Sequence, residues 1–239
     1  MQTATYVALS RQTVLERSMD VIANNLANMS TTGFKSESPL FQEYLQPGPK
    51  GQTISYVRDI GVVRDGRSGD LSSTGNPLDI GINGAGYFQV NTTDGPRYTR
   101  NGRFQIDSGR NLVTAQGNQV LNAAGQPITI PQGATSISIG ADGSVATETG
   151  PIGKIALTSF ANEQDLVAAG NGLYATSATP VPDTTSTMHQ GFLEQSNVQP
   201  ILAMIQMQQL QGAYSSAQNL IEGEDNRLRN AIDKLSKSA

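Results

Sequence analysis

A chain of 239 residues is long enough to bury a substantial core, so size alone does not exclude an enzyme. A formal net charge of −4 gives no basic footprint for nucleic acid and no polybasic anchor for a membrane surface, so both partners are discounted. The absence of cysteine excludes disulfides, thiolate metal sites and cysteine nucleophiles together, and 25 glycines with only 15% charged residues suit a turn-rich β protein with helical ends.

The opening "MQTATYVALSRQ" has neither a basic n-region nor an apolar stretch long enough for a cleavable signal. No run approaches the ~20 apolar residues of a membrane span, so neither membrane insertion nor a conventional signal peptide is expected. From residue 4 to 29 the apolar residues Leu15, Met19, Ile22, Leu26 and Met29 recur at alternating steps of four and three, continued more weakly by Ala4 and Ala8. That spacing predicts a helix with an a/d seam. Asn24, Asn25 and Asn28 sit near its end, although asparagine competes for backbone hydrogen bonds and is a poor residue inside a helix. Thr31, Thr32 and Gly33 follow as the predicted helix stop, closing a first segment at residues 1–33.

Residues 34–75, with the break Pro47-Gly48-Pro49-Lys50-Gly51, read as a connector. Residues 76–190 read as an all-β module. Asp-Gly at 65–66, 94–95 and 142–143 and Asn-Gly at 83–84, 101–102 and 171–172 punctuate short runs such as "YFQV", "NLVT" and "IALTSF".

Residues 191–239 are predicted to hold a long C-terminal helix. Its seam passes through Ala203, Met207, Leu210, Tyr214, Ala217, Ile221, Leu228, Ala231 and Leu235, with Glu224 the one charge in register. Ser196 or Asn197 is positioned to cap it, and Pro200 falls in the first turn, where a missing N–H matters least. Asp225/Arg229 and Asp233/Lys237 add acid-before-base pairs at i,i+4. About 40 such residues would extend about 60 Å. A rod of that length needs partners along its seam, so the helical ends are expected to become ordered as neighbouring subunits bury them.

The chemistry-bearing residues do not form a convincing site. Asp79, Asp107, Asp142 and Glu148 would have to supply a carboxylate pair for a secreted carbohydrate-active enzyme, yet aspartate beside glycine is usually a turn former. His189 stands alone without an HxH or HxxE partner, and "GINGAG" at 81–86 has the spacing of neither a Walker loop nor a dinucleotide fingerprint. Met204 and Met207 suit helix packing. The reading is therefore a non-enzyme with no catalytic, cofactor-binding or metal-ligating residue. A coiled-coil adaptor is the rival from a third class.

"ANNLAN" followed by "TTGFK" closely resembles the signature of the flagellar axial proteins, the rod and hook family. Further blocks in family order are "TGNPLDIGINGAGYFQV" at 74–90, "YTRNGRFQID" at 98–107, "NLVTAQGNQVL" at 111–121 and "GFLEQSNVQP" at 191–200. The length and the opening "TYVALSRQTVLERSMDVIANN" look like the mid-sized proximal-rod member, with the distal-rod member as the alternative. The resemblance implies an α+β fold in which long terminal helices pair as a coiled coil around an all-β middle. It also implies a structural rod subunit, exported without a cleaved signal through the flagellar type III apparatus to the periplasmic basal body. Its expected partners are copies of itself and other rod proteins, with the seams of both helices and Asn24, Asn25 and Asn28 forming the assembly interface. In that setting the asparagines would fix helix register, as buried asparagine does in coiled coils.

Overall fold

The computed structural model describes residues 2–47 and 53–237, and the side chains of these except 2–6, 53, 54 and 235. It is an α+β protein with a helix at each end and strands between them. The chain divides into two compact units. One comprises Met1–Ala27, Glu37–Val63 and Gln199–Ala239; the other comprises Asn28–Ser36 and Arg64–Val198.

The first unit holds the helices α1 (Gln2–Ala27) and α2 (Pro200–Lys237) and most of a two-stranded sheet, β1 (Glu37–Pro47) with β2 (Thr53–Arg64). No glycine or proline interrupts α1, which lets its seam run unbroken. The two helices touch, and the Gln12 Nε2 donates to the Tyr214 hydroxyl at 2.8 Å. Residues 34–75, expected as a connector, thus carry two long strands. Their signal was the β-branched and aromatic run "TISYVRDIGVVR", whereas the turn chemistry between them, at 48–52, lies outside the described residues.

In the second unit the strands follow in chain order as β3 (Leu71–Ser73), β4 (Ile80–Asn83), β5 (Tyr87–Thr92), β6 (Gly95–Thr99), β7 (Phe104–Ile106), β8 (Leu112–Thr114) and β9 (Gln119–Val120). They continue as β10 (Ile137–Ile139), β11 (Ser144–Thr147), β12 (Gly150–Lys154), β13 (Leu157–Ser159), β14 (Val167–Gly170), β15 (Leu173–Ala175), β16 (Val181–Pro182), β17 (Thr187–Gln190) and β18 (Phe192–Glu194). The largest sheet has the order β14-β15-β6-β5-β9-β8-β7, with β13 bridging β5 and β16. β10-β11-β12 form a second sheet, and β17 and β18 return antiparallel to β4 and β3.

Alternation along β5 explains how one sheet serves two apolar clusters, since successive side chains point to opposite faces. Phe88 and Val90 enter the main core with Ile80, Val120 and Ile155. Tyr87 points the other way into an aromatic cluster with Tyr98, Phe160 and Tyr174, its ring edge-on to Phe160 and Tyr174 at 5.9 Å. The Asp94-Gly95, Asp142-Gly143 and Asn171-Gly172 pairs join β5 to β6, β10 to β11 and β14 to β15. At the last, both residues have positive φ, 54° and 72°, as a type I′ turn requires. Asn101-Gly102 serves otherwise: a Cβ on Gly102 would strike the Ile80 carbonyl.

Candidate functional site

On α2 the seam residues from Ala203 to Leu228 are more shielded than most of the helix, whereas on α1 the most buried positions besides Ala8 lie beside the expected seam. On α1, Ala8 is buried and Leu15, Met19, Ile22 and Leu26 are half-buried; Ser18, Val21 and Asn25 add buried positions beside them. On α2, Ala203 and Ala217 are buried, and Met207, Leu210, Tyr214, Ile221, Glu224 and Leu228 are half-buried. Ala231 is exposed, and the Leu235 side chain lies outside the described residues. Away from this seam α2 leaves Ile201, Leu202, Met204, Ile205, Leu220 and Ile232 exposed, Ile201 at 74%. Arg229 and Asp225 pair at 2.8 Å, and Arg227 reaches the in-register Glu224 at 2.6 Å.

The helix stop falls earlier than expected. α1 ends at Ala27, and Asn28–Ser30 form a turn in which the Thr31 N–H donates to the Asn28 carbonyl at 3.0 Å. The Thr31 hydroxyl donates to Asn28 Oδ1 at 3.1 Å. Met29 therefore lies past the helix rather than on its seam, and it is exposed. Thr32 is half-buried in the continuing turn. Gly33, at φ +68°, does something a helix stop does not require. A Cβ there would stand 2.6 Å from the Arg100 carbonyl carbon, so glycine permits two backbone segments to touch.

Asn25 also has a use the sequence did not disclose. Its Nδ2 donates to the Glu37 carbonyl at 2.7 Å and its Oδ1 accepts from the Glu37 N–H at 2.9 Å. The side-chain amide thereby imitates a paired strand and pins the first residue of β1 to α1. Asn24 is exposed and Asn28 half-buried. Asn197, expected as a cap for α2, is directed elsewhere. Its Nδ2 donates to the Asp65 and Arg67 carbonyls, and its Oδ1 accepts from the Ser36 N–H at 2.7 Å. The Ser196 hydroxyl accepts from the Val198 N–H at 3.3 Å. With Pro200 opening α2 there is one fewer N–H to cap.

Sequence reading missed the most buried polar group of the second unit. Lys35 Nζ donates to Glu194 Oε1 at 2.7 Å and to the Arg67 carbonyl at 2.8 Å. Arg100 Nε donates to Glu194 Oε2 at 2.8 Å, while its Nη1 donates to the Gly84 and Gly86 carbonyls. The Gly69 N–H donates to Glu194 Oε1 at 3.0 Å. All three charged side chains are at most 1% exposed. Burial, followed by the nearby Arg100 charge, lowers the Lys35 pKa, opposed by Glu194. The first half of "GINGAG" thus lies in β4, and its second half is the bend to β5, where the Gly84 and Gly86 carbonyls hold a guanidinium. A signal was present: "TTGFK", "YTRNGRFQID" and "GFLEQSNVQP" bring the two basic residues and the acidic one into blocks of otherwise uncharged neighbours, although Arg103 and Asp107 share the middle block.

Arg100 also lies 5.5 Å from the Tyr87 ring centre. Burial pushes the Tyr87 phenol pKa up, and its hydroxyl has no hydrogen-bond partner among the described residues.

Three of the four acidic residues weighed for catalysis hold local turns, and Glu148 ties the two ends of the β10–β11 hairpin. Asp79 accepts from Asn76, Asp107 from the Asn111 N–H, Asp142 from Ser144 and Glu148 from the Thr135 hydroxyl. His189 is exposed on β17, 6.2 Å from the Phe192 ring. Among the described residues no group of three or more His, Cys, Asp or Glu is placed to hold a metal ion, and no helix is long and apolar enough to cross a membrane.

Comparison with known proteins gives three family matches along the chain. Residues 6–35 match the family described as flagella basal body rod protein. Residues 81–147 match the flagellar hook protein FlgE/F/G D1 domain, and residues 189–234 the flagellar basal body rod FlgEFG protein C-terminal family. The flagellar basal-body rod protein FlgF of Caulobacter vibrioides is 37% identical over 99% of both chains. FlgF of Mesorhizobium japonicum is 34% identical over 98% of both. The basal-body rod protein FlgG of Bacillus subtilis is 32% identical over 95% of this chain and 97% of its own.

Proposed function

The chain belongs to the flagellar basal-body rod protein family, FlgF-like over its full length, and from that membership we propose how it builds a rod. It is a structural subunit of the flagellar basal body. Its helices α1 and α2 pair as a coiled coil, and the seam residues with Asn24, Asn25, Asn28 and Met29 form the assembly interface with copies of itself and with other rod proteins. The strand-rich residues 76–190 stiffen a torque-transmitting shaft through contacts with neighbouring subunits. Contacts of this kind do not close on themselves, so they extend a helical filament rather than a ring.

The observation that carries this reading is full-length similarity to FlgF, with helix, strand and helix segments matched in family order. A second observation supports it. α2 exposes large apolar residues from Ile201 to Ile232, more than a solitary helix in water keeps uncovered, and neighbouring subunits would bury them. Export proceeds through the flagellar type III apparatus, placing the subunit in the periplasmic rod. The protein is a building block rather than a catalyst, a reading supported by relatives named as basal-body rod proteins.

Electron cryo-microscopy of purified basal bodies tests the proposal. Density for this chain is expected in the proximal rod, with residues near 4–29 and 201–235 forming the tube wall. Density in the distal rod would assign the FlgG-type position instead, and absence from basal bodies would overturn the rod reading.

A further inference from the structure

The three charges that meet at the Glu194 carboxylate come one from each family-matched segment: Lys35 from the first, Arg100 from the middle and Glu194 from the last. The chain passes between its two units after residues 27, 36, 63 and 198. The second unit's own residues next to those passages are tied to one another. The Gly33 N–H donates to the Glu194 carbonyl at 2.8 Å, the Asp65 N–H to the Ser36 carbonyl at 2.8 Å, and the Gln195 N–H to the Asp70 carbonyl at 2.8 Å. Asn197 joins the Asp65 and Arg67 carbonyls to the Ser36 N–H. Glu194 joins Lys35, the Gly69 N–H and Arg100.

We propose that this arrangement is a polar clasp, in which Glu194 and Asn197 bind residues 31–36, 64–70 and 194–198 into one tie that carries load. The load-bearing role rests on the rod reading; the clasp itself does not. Apolar contact is non-directional and permits sliding, whereas short, directional hydrogen bonds to a buried carboxylate fix register. A buried ion pair adds little net stability over an apolar replacement, so a role in positioning accounts better for three charges at this place. Gly33 and Gly69 fit the same purpose. A Cβ on Gly69 would strike the Gln195 backbone, so two of the clasped segments lie in close approach, and a Cβ on Gly33 would strike the backbone of Arg100, whose guanidinium Glu194 binds. Pull arriving along one segment is then shared by the other two before it reaches the apolar core around Phe88.

Hydrogen exchange on the purified full-length chain tests the clasp, with Glu194→Gln as the first variant. The Gly33, Asp65, Gly69 and Gln195 amides are expected to exchange on the order of 100-fold faster, with the core amides of Leu121 and Ile155 unchanged. Uniform acceleration would make the cluster an ordinary part of the core, and unchanged exchange at the four amides would remove the clasp; either result overturns the proposal. Should Glu194→Gln fail to fold, Asn197→Ala, at a half-buried position, provides the same readout. In cells, the variant that folds should swim normally in dilute medium and lose motility in viscous medium. Equal loss in both, or loss in neither, overturns the load-bearing role. Absence of the unaltered chain from basal bodies would refute the rod reading separately, leaving the exchange result to decide the clasp.

Discussion

Gly33 illustrates how one residue serves a purpose other than the one its neighbours in sequence suggest. Following Thr31 and Thr32 it reads as a helix stop, but its positive φ and its contact with the Arg100 backbone make it a close-approach position. Gly33→Ala is expected to destabilise the second unit by about 2–4 kcal/mol, combining left-handed strain with a clash that no rotamer relieves. Urea unfolding measures it; a loss below about 1 kcal/mol would mean the segment shifts aside cheaply. Glu148 offers a test by pH. Hydrogen bonds from Thr135, then Ser136, bring its carboxyl down to about 2 from an ordinary 4.5. Because the folded value is the lower one, the contribution is present above the ordinary value and fades as pH falls from about 4.5 through about 2. NMR titration of the Glu148 carboxyl should show that low midpoint, together with movement of the Thr135 amide. A midpoint at the ordinary glutamate value would mean those bonds do not persist in water.

Among the elements, α2 has the most to reveal about assembly. Its seam is legible because apolar side chains at alternating steps of three and four can face one way only on a helix. Gly212 and Gly223 lie off that seam, on exposed positions where an added Cβ meets nothing within 4 Å. Gly212→Ala should therefore raise the stability of α2 by roughly 0.8–1 kcal/mol, through propensity alone. Thermal melting followed by far-UV circular dichroism would detect it, and a decrease would indicate that Gly212 supports a packing not present in the single chain. β1 and β2 teach the opposite lesson. Their residues have strand character, but a connector reading followed from the Pro47–Gly51 break between them. Only the hydrogen-bonded pairing, with Asn25 fixing where β1 begins, identifies them.

For the molecule as a whole, the sequence by itself determined the α+β order of elements and the family. These rest on local signals: helical periodicity, turn dipeptides and contiguous blocks, each complete within about 40 residues. Tertiary structure alone decided which side chains meet. Lys35 and Glu194 are 159 positions apart, and nothing local distinguishes a buried charge from a solvated one. Asn25 and Asn197 likewise read as helix-end residues, until the backbone groups they satisfy come into reach from other segments. A buried polar atom must find its partner wherever the fold brings one, so such pairings belong to the folded chain and not to any stretch of it.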